Sequence, residues 1–123
     1  MTALRLGFAS VNLAGHLAGS TAEQLDALDF GVVEMNHQGH VLRYNATESR
    51  YSGLPAERVV GRHFFTEVAP CCNNRKVAER FKEVALEETI SYTFALRMKP
   101  VPVTLRMIKE EGSEKMYLLV LWQ

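Results

Sequence analysis

The sequence predicts an α+β domain: a five-stranded antiparallel sheet with helices on one face and an N-terminal helical cap. Three observations carry this reading. Two short apolar stretches at 30–35 and 40–44 flank Asn36-His37-Gln38-Gly39, a turn sequence. Three longer stretches with alternating polarity close the chain, at 90–98, 101–107 and 116–122. Between the two sets lies a segment rich in capping residues, where helical spacing replaces alternation.

Taken in order, the first twenty residues are rich in Ala, Gly and Leu with weak periodicity, as expected for a cap outside the main core. We set that cap at 1–27 and the core at 28–123, within one domain overall. Ser20 with Glu23, or Thr21 with Gln24, fits a capping box, so a short helix should follow with Leu25 and Leu28 turned inward. The first two strands come next. Asn45 is then a good cap for a helix through Ser49 that Gly53 stops. Pro55 opens another helical turn that ends at Gly61, and 70–74 is a loop. Val77, Phe81, Val84 and Ala85 recur at helical spacing, which predicts a helix over 75–87. The three long strands follow, with a hairpin turn around Gly112. This is also the order of elements in PAS sensor domains, an analogy of fold that assigns no function.

The bulk properties narrow the function classes. A chain of 123 residues is one domain's worth, with 47% hydrophobic and 23% charged residues and zero net charge. No basic block suggests nucleic acid or an anionic membrane. No stretch approaches the ~18 apolar residues of a membrane span, and the N-terminus lacks the pattern of a signal peptide, so we expect a cytoplasmic protein. The two cysteines, Cys71 and Cys72, are adjacent, and the expectation is two free thiols. His16, His37, His40 and His63 have no metal-ligand spacing with them. No Gly-rich phosphate loop or serine-elbow motif is present.

Two groups of residues could carry chemistry. Tyr44, Glu48 and Ser52 stand four apart, and on a helix they would project from one face toward a single anionic acceptor. Spacing alone favours the plainer reading of a solvated helix face, because glutamates are mostly exposed. Cys71, just ahead of the expected long helix, would ionise more easily at its N-terminus and attack an activated acyl group. Alone, it reads more simply as a small buried hydrophobe, as does Cys72.

Longer motifs change that balance. Leu42-Arg43-Tyr44-Asn45-Ala46-Thr47-Glu48 resembles the phenolate-binding motif of the photoactive yellow proteins. The run from Val60 through Phe64-Phe65 to Val68-Ala69-Pro70-Cys71 resembles that family's approach to its chromophore cysteine. Ser91-Tyr92-Thr93-Phe94 and Met98 resemble its chromophore-lining strand.

The resemblance implies a blue-light receptor, not an enzyme, that carries p-coumaric acid as a thioester on Cys71. Tyr44 and a protonated Glu48 would donate hydrogen bonds to the phenolate, with Ser52 supporting Tyr44 where the family has threonine. Phe64, Val68, Phe94 and Met98 would pack around the ring and vinyl bond, and Ala69 and Pro70 would shape the approach to the thiol. Light would drive trans-to-cis isomerisation, Glu48 would act as proton donor, and the N-terminal cap would loosen. A monomer with no nucleic-acid or membrane role would pass the signal to a downstream protein that the sequence leaves open.

The sequence departs from the family at Leu54, where many members have arginine, and at Leu96, where others have tyrosine. Tyr117 stands where a tryptophan is common. Two other functions remain open at this stage: a PAS module for another ligand or for dimerisation, and an acyl-transfer enzyme with Cys71 as nucleophile and His63 as base.

Overall fold

A computed structural model describes residues 6–96 and 99–122. Five strands form one sheet in the order β2-β1-β5-β4-β3, every neighbouring pair antiparallel: β1 Gly31–Asn36, β2 Val41–Tyr44, β3 Leu86–Leu96, β4 Lys99–Lys109 and β5 Lys115–Trp122. The predicted hairpins at both ends of the chain are present. A register shift between Glu34 and Met35 bends the first.

Helices α1 (Leu13–Ala18) and α2 (Ala22–Asp26) precede the sheet, and α3 (Ala46–Ser52) and α4 (Ala56–Val59) follow β2. Thr21 closes the capping box of α2 with Gln24. Leu25 is buried and Leu28 partly so. Asn45 caps α3 through its Oδ1, which accepts from the Glu48 amide at 3.1 Å and from the Val32 amide at 2.9 Å. Its Nδ2 donates to the carbonyls of Leu25 and Phe30, so one buried side chain joins α2, β1 and α3. Gly53 ends α3 at φ 78°, a conformation that favours glycine. Pro55 sits one position earlier than expected, before α4 rather than inside it.

The helix predicted over 75–87 does not form. The Asn74 side chain instead accepts from the amides of Lys76 and Val77, a turn is made, and only Ala78–Lys82 is helical, in the tighter 3-10 form. Val77 and Phe81 do reach the core, but Val84 is 69% exposed. Strand β3 starts at Leu86, and its pairing with β4 from Leu86↔Lys109 to Leu96↔Lys99 takes Leu86 and Glu87, the last two residues of the predicted helix.

Alternation along the strands gives the sheet two apolar faces. Val33, Met35, Leu105, Met107, Leu118 and Val120 face α4 and the middle segment with Phe64, Phe65 and Phe81. Val32, Ile108, Tyr117 and Leu119 face the other way, beneath Leu13, Leu17 and Leu25 of α1 and α2. Burying each such leucine is worth ~1.5–3 kcal/mol. The N-terminal helices therefore cover one face while the middle segment builds the site on the other. Among the described residues no helix is long and apolar enough to cross a membrane.

Candidate functional site

The middle segment and the ends of β3 and β5 enclose a cavity of about 260 Å³. Tyr44, Glu48 and Ser52 line one part, Cys71 with Ala69 and Pro70 another, and Phe64, Val68 and Phe94 the apolar walls. Among the described residues, every side chain the sequence singled out for the site thus borders one space. Met98 lies outside the described residues. Leu54, Ala95 and Trp122 complete the lining.

Convergence comes about differently from the helical face expected. Tyr44 is the last residue of β2, Asn45 is the cap, and only Glu48 and Ser52 lie on α3. The turn at Asn45 brings strand end and helix face together. The Tyr44 hydroxyl donates to Ser52 Oγ at 2.9 Å, and Ser52 Oγ also accepts from the Leu54 amide at 3.2 Å. Burial, with the charge of Glu48 adding to it, pushes the Tyr44 phenol well above its ordinary range.

Glu48 is 3% exposed, and among the described residues no cation bears on it. Burial raises its carboxyl to about 7, opposed by the Trp122 indole N–H, which donates to Oε1 at 2.7 Å. Among the described residues nothing donates to Oε2. A carboxyl titrating near neutrality in an apolar pocket can hold a proton and give it up, which an exposed glutamate cannot do at that pH.

Cys71 is half-buried and lines the cavity, whereas Cys72 is buried in the core and does not. The Cys71 thiol is lowered to about 6, chiefly by a hydrogen bond from Cys72 and also by the Ala95 amide, against the effect of burial. The same contact and burial push Cys72 far up. The expected long helix contributes nothing here, because it is absent. The loop is held from outside instead: Tyr92 Oη and Asn74 Nδ2 both donate to the Cys71 carbonyl.

One π-helical turn, Phe64–Val68, sets the two phenylalanines: the amides of Val68 and Ala69 reach back five residues to the carbonyls of His63 and Phe64. His63 Nδ1 caps this turn by accepting from the Thr66 amide, and its ring packs edge-on against His40. His63 does not line the cavity, so it is not placed as a base for Cys71. Among the described residues no group of His, Cys, Asp and Glu could hold a metal.

Sequence reasoning missed Trp122. The available signal was parity: on β5, residues 118, 120 and 122 share the face that carries the site, and Trp122 ends that series. Leu54 entered the sequence reading only as a departure from a family pattern. Its side chain, 38% exposed, now stands at the cavity edge.

A PAS-fold family model matches residues 25–119. The chain is 34% identical over 117 residues to a photoactive yellow protein of Halochromatium salexigens, covering 92% of this chain and 94% of that one. A second, from Rhodothalassium salexigens, is 29% identical over the same shares. Among solved structures, the photoactive yellow protein domain of the sensor histidine kinase Ppr from Rhodospirillum centenum superposes with a TM-score of 0.80 at 37% identity, over 86% of this chain and 96% of that one. A PAS domain of an HTR-like protein from Haloarcula marismortui, at 12% identity and TM-score 0.66, shares the fold. The chain belongs to the photoactive yellow protein family, on the PAS fold, and is a sensory photoreceptor rather than an enzyme.

Proposed function

We propose that this protein senses blue light through p-coumaric acid bound as a thioester to Cys71. The observation that carries the reading is the cavity itself, which joins an accessible, acidified thiol to a buried neutral-range carboxyl across apolar walls. Its volume suits one small aromatic acid and little more. When bound, the p-coumaroyl group supplies visible absorption, a light-driven trans-to-cis isomerisation and a phenolate oxygen able to take up a proton.

The chain's own residues do the rest. Cys71 attacks the acyl carbon of an activated p-coumaric acid as the thiolate, which its lowered proton affinity makes available near neutral pH, and the activating group leaves as the thioester forms. Phe64, Val68 and Phe94 exclude water from the ring. Tyr44 and Ser52 are both donor and acceptor, so their hydrogen bond can run either way. With Ser52 donating to Tyr44, the phenol proton is free to point into the cavity. Glu48 holds its proton in the dark and gives it up after illumination. That leaves a carboxylate with 3% exposure and, among the described residues, no cation, a situation costing several kcal/mol. Loosening of the N-terminal helices relieves that cost and forms the signal. We place the protein in the cytoplasm as a monomer acting on a downstream protein.

The deciding experiment is the visible spectrum after addition of activated p-coumaric acid to purified protein. Wild type and Cys72→Ala should turn yellow and Cys71→Ala should stay colourless while remaining folded. A colourless wild type, or label mapped to Cys72, overturns the assignment.

A further inference from the structure

The Glu48 carboxyl occupies space that exists only because residue 31 has no side chain. A Cβ built on Gly31 would lie 1.8 Å from Glu48 Oε1 and 2.9 Å from its carboxyl carbon. Gly31 is the first residue of β1, in extended strand, so its role is room rather than unusual backbone. Beside it, β1 pairs with β5 at Gly31↔Val120, and Trp122 extends two residues beyond. The indole is set by stacking on Tyr51, with centroids 5.5 Å apart and planes at 8°, and by Phe94 at 5.3 Å. From there its N–H reaches the same Oε1 at 2.7 Å.

We propose that Gly31 and Trp122 are positioning residues for Glu48: Gly31 leaves the seat for Oε1, the indole holds Oε1 in it, and Oε2 is thereby the oxygen that carries and delivers the proton. The delivery half rests on the light-receptor reading above. An indole N–H can only donate, so Oε1 is an acceptor whether Glu48 is neutral or ionised. In a neutral carboxyl the carbonyl oxygen accepts better than the hydroxyl oxygen, which assigns the proton to Oε2. The same N–H remains on Oε1 after the proton has gone, and softens the cost of the buried carboxylate.

Trp122 is the only tryptophan of the chain, so its indole N–H gives one resolved resonance in ¹⁵N-labelled protein without chromophore. That resonance should shift with pH at the midpoint of the Glu48 carboxyl, followed by ¹³C in the same sample, and should stop titrating in Glu48→Gln. Trp122→Phe keeps the stacking ring and removes the donor. Glu48 should then bind its proton about tenfold more tightly, moving its midpoint up by about one pH unit. Gly31→Ala should displace Oε1 and uncouple the indole, and Glu48→Ala in that background should recover the stability lost to the collision. An indole that ignores the titration of Glu48, or a Glu48 midpoint unmoved in Trp122→Phe, overturns the proposal. The two readings fail separately. A coupled indole in a protein that never turns yellow keeps the seat and removes the receptor. A yellow protein with an uncoupled indole does the reverse.

Discussion

The sheet buries one glutamate against each face, and their proton affinities are shifted in opposite directions. Glu48, on the site face, is 3% exposed with a single neutral donor, and its carboxyl is raised to about 7. Glu34, on the face covered by α1 and α2, is 2% exposed. Burial alone would raise it too, but hydrogen bonds from Arg43 and Tyr117 and the charges of Arg43 and Lys115 outweigh burial and hold it below the ordinary range. Arg43 Nε and Nη2 grip Glu34 at 3.0 and 2.6 Å, and Tyr117 Oη donates at 2.7 Å. The same depth therefore goes with a lowered proton affinity for one carboxyl and a raised one for the other. Among the described residues, the difference is the cation beside Glu34, Arg43.

The largest break in this comparison should come from removing that cation. Arg43→Met leaves Glu34 buried with only Tyr117 and a distant Lys115, 3.9 Å away. Losing one partner of a buried pair costs about 3–5 kcal/mol, and the lost bonds to the carbonyls of Leu17 and Ser20 add to it. Urea unfolding should show the loss. Adding Glu34→Gln should recover a large part. If the double variant is no more stable than Arg43→Met, the buried charge is not what the arginine answers.

The pH dependence should separate the two glutamates. Glu48 binds its proton more tightly when folded, at about 7, than at its ordinary 4.5. Across that window the folded chain holds the extra proton, so stability falls as pH rises from about 4.5 to 7 and then levels off. The span corresponds to about 3 kcal/mol, and Glu48→Gln should abolish it. Glu34 runs the other way. Its folded affinity is depressed, so its contribution is full above the ordinary value and is lost as pH falls through the folded one. Urea midpoints between about pH 4 and pH 8 for wild type and Glu48→Gln test this. Parallel curves would mean that Glu48 is ionised and solvated in the folded protein.

What the sequence made legible follows from the same contrast. Strand alternation and caps depend on neighbours in sequence, so the sheet, the Thr21 capping box and the Asn45 cap could be read directly. The helix over 75–87 failed at both ends, where the Asn74 side chain takes the first amides into a turn and β4 pairs with Leu86 and Glu87 from far along the chain. Tyr44, Glu48 and Cys71 were singled out by spacing and position and favoured by motif resemblance, which also implied a protonated Glu48, but the groups that set its environment were not seen. The surroundings of the Glu48 carboxyl include Trp122, 74 positions away, and Gly31, whose contribution is the absence of an atom. The Glu34–Arg43–Tyr117 cluster was missed entirely, since nothing in local spacing marks Glu34 as buried.

The smallest effect expected concerns the leading edge of the N-terminal segment, and it sharpens how the covered face is held. A second arginine works there. Arg106 on β4 holds Glu87 through Nε and Nη2, and its Nη1 donates at 2.9 Å to the carbonyls of both Phe8 and Ser10. Arg43 secures the segment at Leu17 and Ser20, and Arg106 secures it ten residues earlier. Leu6 and Phe8 pack against the same cluster, with Phe8 meeting Phe30 edge-on at 5.9 Å, and Val11 is exposed. Arg106→Gln should therefore leave global stability nearly unchanged and speed hydrogen exchange at Gly7 and Ser10 about tenfold, the equivalent of one charged hydrogen bond of ~1.4 kcal/mol. Both amides bond within this stretch, to Ser10 Oγ and the Gly7 carbonyl, so they report its opening directly. Protection at Leu25, behind the Arg43 clamp, should not change. If the light-receptor reading holds, blue light should raise exchange at residues 6–27, and Arg106→Gln should reproduce the front part of that change in the dark. Equal exchange at Gly7 and Ser10 in the variant and wild type would show that the Phe8–Phe30 contact, not the arginine, holds the segment down.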